Sequence, residues 1–283
     1  MKHIVSFSGG MGSFAEAYYC VQEFGKDNVI LLFADTKEED SDLYRFLEET
    51  REFLGCELVK LAYGPSLWEL FKIRKFIGTN RVDICSETLK RDLLNGWIYD
   101  NYGIIIDKPI LNQDGSTKKN TFGEDLTIKV KSLLCEVHLG IDFSEHHRLT
   151  RVQKYMSPAI YRSLLVERGL IIAKDFSEQF GIRKPFLYTL NFAHNNCGGF
   201  CVKSGLGQFK KLYEELPERY AYHEQQERET IALGAKPFLR MQKNNKKRYL
   251  TMEEYRVEFL EVDKAEEFTY DYGGCGCALP MGE

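Results

Sequence analysis

Two groups of residues in this chain have types and spacings suited to chemistry. The first is Ser8-Gly9-Gly10-Met11-Gly12-Ser13, which follows the short apolar run Ile4-Val5 and precedes an apolar segment starting at Phe14. A strand, a glycine-rich turn and a helix start in that order leave backbone N–H groups unpaired, and the helix dipole adds partial positive charge to them. The result is an anion site suited to phosphate, where small residues let the backbone come close to the phosphate oxygens. The competing reading is a plain glycine turn before a helix. The stretch lacks the Lys of a Walker loop, and its glycine spacing is not that of the three-glycine dinucleotide fingerprint.

The second group is the cysteines, eight in all. That is many for a reducing compartment, where disulfides are rare, so metal binding or catalysis is the natural expectation. Cys197 and Cys201 bracket three residues, two of them Gly, and Cys275 and Cys277 flank Gly276. Together the pairs could form a four-thiolate site for zinc or hold an iron–sulfur cluster, although the spacing matches neither usual pattern. The alternative is unpaired cysteines in tight turns, the last two on a tail. Cys85 precedes Ser86, a candidate cap for a helix carrying Lys90 and Arg91. A helix N-terminus favours thiolate there, while a half-buried structural Cys is the plainer reading. Cys20 is expected in the core of the first helix.

Three other stretches could join a site. The run ending at Leu139-Gly140-Ile141 opens into Asp142, Glu145, His146, His147 and Arg148. Arg148 is suited to phosphate, and Glu145 could instead pair with it along a helix. The adjacent histidines would point different ways on a helix, which makes them a poor metal pair. Asp35 ends an apolar strand and could sit near adenosine or a metal, or simply cap a turn. The acidic residues 38–42 read as a solvated helix start rather than as a metal site, since carboxylates favour a first turn.

The elements that would position these residues follow from periodicity. Helices are predicted over 14–24 and about 42–54, with strands at 29–33 and 56–61. This β-α-β-α-β order implies a parallel sheet wrapped by helices, with ligands at the carboxyl ends of strands where the order switches. A further buried strand is predicted over 133–141. Residues 103–131 read as an insertion with a turn at Asn112–Ser116, and Lys118, Lys119, Lys129 and Lys131 make it locally basic. A solvated face explains those lysines better than a nucleic-acid contact. The stretch 161–181 reads as helical with a break at Gly169. Phe209, Leu212, Tyr213 and Leu216 mark a helix ended by Pro217, and 219–234 reads as a polar surface helix. Residues 244–248 read as a basic loop, and Thr251 as a helix cap. The expected division is an α/β nucleotide-binding domain over 1–190 and a mainly helical, Cys-containing region over 191–283.

With 283 residues the chain has ample length for a core, and a net charge of -4 argues against a surface coated in positive charge for nucleic acid. No apolar run reaches eighteen residues, so no membrane span is expected. A secretory leader is not evident, which makes a cytoplasmic location the expectation.

Taken in order, five stretches resemble the phosphoadenosine phosphosulfate reductase-like branch of the PP-loop ATP pyrophosphatase superfamily, also called adenine nucleotide alpha-hydrolase-like. They are Ser6-Phe7-Ser8-Gly9-Gly10-Met11-Gly12-Ser13, Phe33-Ala34-Asp35-Thr36, Cys85-Ser86 with Leu89-Lys90, Gly140-Ile141 with Glu145 and Arg148, and Asn195-Asn196-Cys197-Gly198-Gly199-Phe200-Cys201-Val202-Lys203. Gly12 stands where that loop usually has Asp. The resemblance covers roughly residues 1–220 and implies a HUP-like (Rossmann-like) α/β domain binding ATP with Mg²⁺. It implies cleavage of ATP between the α- and β-phosphates to adenylate an acceptor, with sulfur transfer to a nucleotide or nucleic acid as a subclass. Ser6 to Gly10, Gly12, Ser13, Ala34, Asp35, Gly140 and Glu145 would then contact nucleotide, with Lys90, Arg148 and Cys85 at the chemistry. Cys197, Cys201, Cys275 and Cys277 would hold zinc or an iron–sulfur cluster. A nucleic-acid or sulfur-donor protein partner and an oligomer are compatible with this reading. The alternatives are a non-catalytic nucleotide-binding partner subunit and a thiol-dependent sulfonucleotide reductase, whose tail motif Gly-Cys-Gly-Cys does not reproduce.

Overall fold

The computed structural model describes residues 1–79, 82–156, 159–243 and 246–262. Its centre is a five-stranded parallel sheet in the order β3-β2-β1-β6-β7. The strands are β1 (Lys2–Ser6), β2 (Val29–Asp35), β3 (Glu57–Ala62), β6 (Cys135–Leu139) and β7 (Ile160–Arg162). β2 is buried along nearly its whole length and apolar up to Asp35, as a strand covered on both faces must be, and β6 is buried throughout although it carries Glu136 and His138. Helix α1 (Met11–Phe24) lies on one face with α2 (Ser41–Leu54), over Val5, Phe7, Leu31 and Phe33. The opposite face carries Ile4, Ile30, Leu32 and Val137, packed with Ile98 of α5 (Asp92–Tyr102) and Leu149 of α6 (His146–Met156). The fold is thus α/β with a Rossmann-like parallel sheet flanked by helices. Chain order reverses between β1 and β6, so the turn after β1 and the residues after β6 meet at a switch point.

The predicted insertion is an antiparallel hairpin, β4 (Gly103–Pro109) with β5 (Thr127–Leu133). Its turn at Asn112–Ser116 closes as expected, with Asn112 N–H donating to Ser116 O. The single strand predicted over 133–141 is divided. Leu133 pairs with Gly103 in the hairpin, and only Cys135–Leu139 joins the main sheet.

A third apolar cluster joins α3 (Leu67–Arg74) to the C-terminal half. It unites Trp68 and Phe71 with Phe200, Phe209 of α9 (Leu206–Glu215), Tyr220 of α10 (Pro217–Ala232) and Tyr255 of α11 (Met252–Tyr255). α3 starts with a capping box between Ser66 and Glu69, and α11 with one between Thr251 and Glu254.

Three stretches differ from expectation. Residues 161–181 are not a broken helix: Tyr161 pairs with Val137 in the sheet, α7 spans only Leu164–Glu167, and a 3₁₀ turn covers Phe176–Phe180. Pairing with the β6 edge takes the backbone bonds that a helix would have used. Of the stretch read as a loop over 244–248, residues 246–248 lie in strand β9 (Lys246–Leu250), which pairs with β8 (Leu239–Lys243), and 244–245 lie outside the described residues. α10 is not a surface helix, because Tyr220, His223, Glu224, Glu227 and Thr230 are buried in it.

Glu227 accepts a hydrogen bond from Met252 N–H at 2.6 Å, and burial pushes its carboxyl up to about 8. It is therefore protonated in the folded chain at pH values where the unfolded chain has ionised it. Its contribution to stability is lost as pH rises from the ordinary carboxylate range to about 8. Glu227→Gln is expected to gain stability relative to the parent across that window, by up to about 1.4 kcal/mol per pH unit, and urea unfolding at several pH values checks this.

Candidate functional site

The glycine turn stands at the carboxyl end of β1, and α1 begins directly after it at Met11. Ser13 ties the turn together: its Oγ donates to Gly10 O at 2.8 Å and accepts from Ser8 N–H at 3.3 Å. Gly9 has φ +72°, and a Cβ there would meet Leu43 Cδ1 at 2.2 Å. Gly10 is the N-cap of α1 and makes no side-chain capping bond. Gly10 N–H reaches Ser8 Oγ at 3.4 Å and Met11 N–H donates to Tyr188 OH at 3.3 Å, so among the described residues it is the Gly12 and Ser13 amides that are left to a ligand. Gly12 has a different role. A Cβ on Gly12 would lie 2.6 Å from Gly140 O, and one on Gly140 would lie 2.4 Å from Ser13 N. The helix start and the chain leaving β6 are in backbone contact.

Two clefts open above the strand ends and share Ser6, Ser8, Leu139 and Asn196 as lining. The larger, about 460 Å³, is walled mainly by apolar groups, including Leu32, Ala34, Ile98, Val137 and Tyr161, with Lys90 and Arg91 at one side. The smaller, about 280 Å³, is lined by Gly10, Gly12, Ser13, Arg148, Lys174 and Asn195 among others. Arg148 donates to Glu145 at 2.6 Å, so both expected residues are at this cleft as an ion pair. Asn195 donates to Gly9 O at 3.2 Å, and its buried Oδ1 has no partner among the described residues. Lys174 donates to Phe192 O, and burial together with Lys211 lowers its pKa. An apolar slot beside a basic, amide-lined slot can take a flat heterocycle and its phosphates.

Ser6, Phe7, Ser8 and Ala34 line the larger cleft, and Gly140 lines the smaller. Gly9 packs against Leu43. Asp35 lines neither cleft; its Oδ1 accepts from Lys37 N–H and Tyr44 OH, which is the turn-capping reading.

A third, small cavity is lined by Cys85, Cys197, Cys201 and Lys90. Cys85, expected at the chemistry, thus faces the same space as two of the thiols expected to hold a metal. Cys275 and Cys277 lie outside the described residues. Ser86 does not cap this helix; Asp83 is the N-cap, and Ser86 is buried one turn inside. Asp83 instead holds Arg91 and Lys203, which fastens the Cys85 helix to the loop after Cys201. Lys90 lines the large cleft as well, and its Nζ lies 3.8 Å from Cys197 Sγ.

Glu38, Glu39 and Asp40 are buried, so the acidic run is not a solvated helix start. Glu39 accepts from Thr36 Oγ1, from Lys90 Nζ at 3.5 Å and from Cys197 N–H at 2.5 Å. Burial raises the pKa of Glu38, whose carboxylate is held by Tyr222. Glu39 was missed because its partners come from distant parts of the chain, although its place just beyond the end of β2 was visible. Lys174 and Tyr188 were missed for the same reason; Tyr188 OH accepts from Met11 N–H at the helix start.

Among the described residues, two buried groups of His, Glu and Cys side chains are placed closely enough to hold a metal ion, both built around His138. No described helix is long and apolar enough to cross a membrane. Comparison with known proteins finds no matching family model and no matching curated protein.

Gly12→Ala forces Gly12 and Gly140 apart. Unfolding in urea is expected to show a loss of about 1–3 kcal/mol, the usual cost of overfilling a packed contact.

Proposed function

We propose that this chain is a PP-loop enzyme of HUP type that binds ATP and cleaves it between the α- and β-phosphates. An acceptor oxygen attacks the α-phosphorus, the bond to the bridging oxygen breaks, and pyrophosphate leaves with the electron pair. A sulfur or nitrogen nucleophile then displaces AMP from the adenylated acceptor. One observation carries this reading: the uncapped start of α1, with Arg148 beside it, opens into a cleft joined to an apolar slot of about 460 Å³.

In this reading Gly12 and Ser13 offer backbone N–H groups to the β- and γ-phosphates. Arg148 and Lys90 stabilise negative charge developing on the phosphates, where fixed cations in a dry site act most strongly. The larger cleft takes the adenine. The carboxylates near the phosphate slot are occupied: Asp142 accepts from Ser144 and Ile172 N–H groups, and Glu145 holds Arg148. Mg²⁺ would accordingly be held mainly by phosphate oxygens and water.

The Cys85, Cys197 and Cys201 thiols fit the donor set of zinc or an iron–sulfur centre, since soft sulfur ligands select such metals. Lys90 joins this cavity to the nucleotide cleft, which supports sulfur transfer to a nucleotide or nucleic acid as the subclass, with a sulfur-donor protein as partner. A second reading, a nucleotide-binding partner subunit without catalysis, is favoured by Gly12: the backbone of Gly140 leaves no room there for a carboxylate.

The test is ATP turnover with labelled phosphates. The proposal expects AMP and pyrophosphate, with their formation reduced about 100-fold in Arg148→Ala. ATP that binds tightly and stays intact with every acceptor tried would establish the second reading.

A further inference from the structure

A buried polar cluster lies apart from both clefts, under α1. His3 of β1 pairs in register with Glu136 of β6, and Val5 with His138, so the three side chains project from one face of the sheet. Nδ1 of His3 is 3.2 Å from Nε2 of His138 and 3.4 Å from Oε2 of Glu136; the remaining separation is 3.7 Å. All three residues are buried. A tetrahedral zinc ion bound to nitrogen and oxygen at its ordinary bond lengths holds its ligand atoms about 3.3–3.6 Å apart.

The surroundings orient these atoms for a cation. The Glu16 carboxylate of α1 accepts the N–H groups of Leu164 and Leu165, one on each oxygen, while the Ser163 hydroxyl donates to Ile141 O at 2.6 Å; the carboxylate is therefore an acceptor toward His138 Nδ1 at 3.0 Å. That places the His138 hydrogen on Nδ1 and turns the Nε2 lone pair toward His3 and Glu136, the carboxylate–histidine arrangement seen behind metal ligands. The His3 ring is stacked on Phe24 with centroids 3.6 Å apart, which fixes its plane. Arg162 bridges Glu136 and Glu167, at 2.8 and 2.7 Å, and its contact on Glu136 is to the same Oε2 that faces the histidines, so that oxygen would be shared between the guanidinium and the ion. The neighbouring Cys20 is no ligand: its thiol donates to Glu16, and burial together with that carboxylate pushes its pKa far up, away from thiolate.

We propose that His3, Glu136 and His138 bind one divalent zinc-class ion, with water in the fourth position, and that this ion ties β1 to β6 beneath α1. The site is independent of the nucleotide cleft and of the Cys85, Cys197 and Cys201 thiols.

The test uses the full chain, stripped with chelator and titrated with zinc, followed by X-ray absorption at the zinc edge. The expected result is one ion with a nitrogen and oxygen shell that persists when Cys85, Cys197 and Cys201 are all changed to Ser. His3→Gln and Glu136→Gln should each weaken binding at least about 10-fold while far-UV circular dichroism of the metal-free protein is unchanged. Should either variant fail to fold, the zinc-edge spectrum of the triple Cys variant decides alone. Zinc bound only through sulfur, zinc affinity indifferent to both Gln changes, or no zinc bound at micromolar concentration would overturn the proposal and leave a plain hydrogen-bonded cluster.

Discussion

Gly12 and Gly140 touch backbone to backbone, and the site is built on that contact. It brings the first turn of α1 against the chain leaving β6, where a side chain on either residue would collide with main-chain atoms. Because the helix start cannot drift from the strand end, its open amides stay aimed into the cleft that Arg148 also lines. Apolar packing supplies the driving force for the fold. The glycine contact adds the shape, since cores transmit sub-ångström misfits instead of absorbing them.

Buried carboxylates do the corresponding work between elements far apart in sequence. Glu39 joins the end of β2 to Lys90 and to the Cys197 backbone. Asp83 joins the Cys85 helix to the loop after Cys201. Glu16 joins α1 to the start of α7 and to His138. Each of these acids is satisfied by several donors, the condition under which a buried charge is tolerable. Glu39 and Asp83 thereby fasten the walls of the thiol cavity and of the larger cleft, and Glu16 separately fastens α1 to the sheet beneath it.

Much of this was legible in residue order. Ile4-Val5 followed by Ser8 to Ser13 marks a strand, a turn and a helix start, and the next two helix–strand alternations require a parallel sheet. Asn112–Ser116 closes a hairpin by local turn chemistry. What could not be read are features with long-range causes. The reason for Gly12 is the carbonyl of Gly140 just after β6, invisible in the local motif. Residues 38–40 look like a solvated helix entry because carboxylates suit a first turn, and only the folded chain brings Lys90, Arg219 and Tyr222 over them. The stretch from Tyr161 fails for a related reason: an unpaired strand edge competes successfully with local helical preference. Cys85 was read by itself, and its meeting with Cys197 and Cys201 depends on the tertiary fold.

The central claim is that the start of α1 grips phosphate through main-chain hydrogens. Amide ¹H–¹⁵N spectra recorded during titration with a non-hydrolysable ATP analogue address it most directly. The account predicts that the largest saturable shifts fall on Gly10, Met11, Gly12 and Ser13, with smaller ones at Ala34 and Asn195. Saturable binding that leaves those four amides in place while moving signals elsewhere would contradict it.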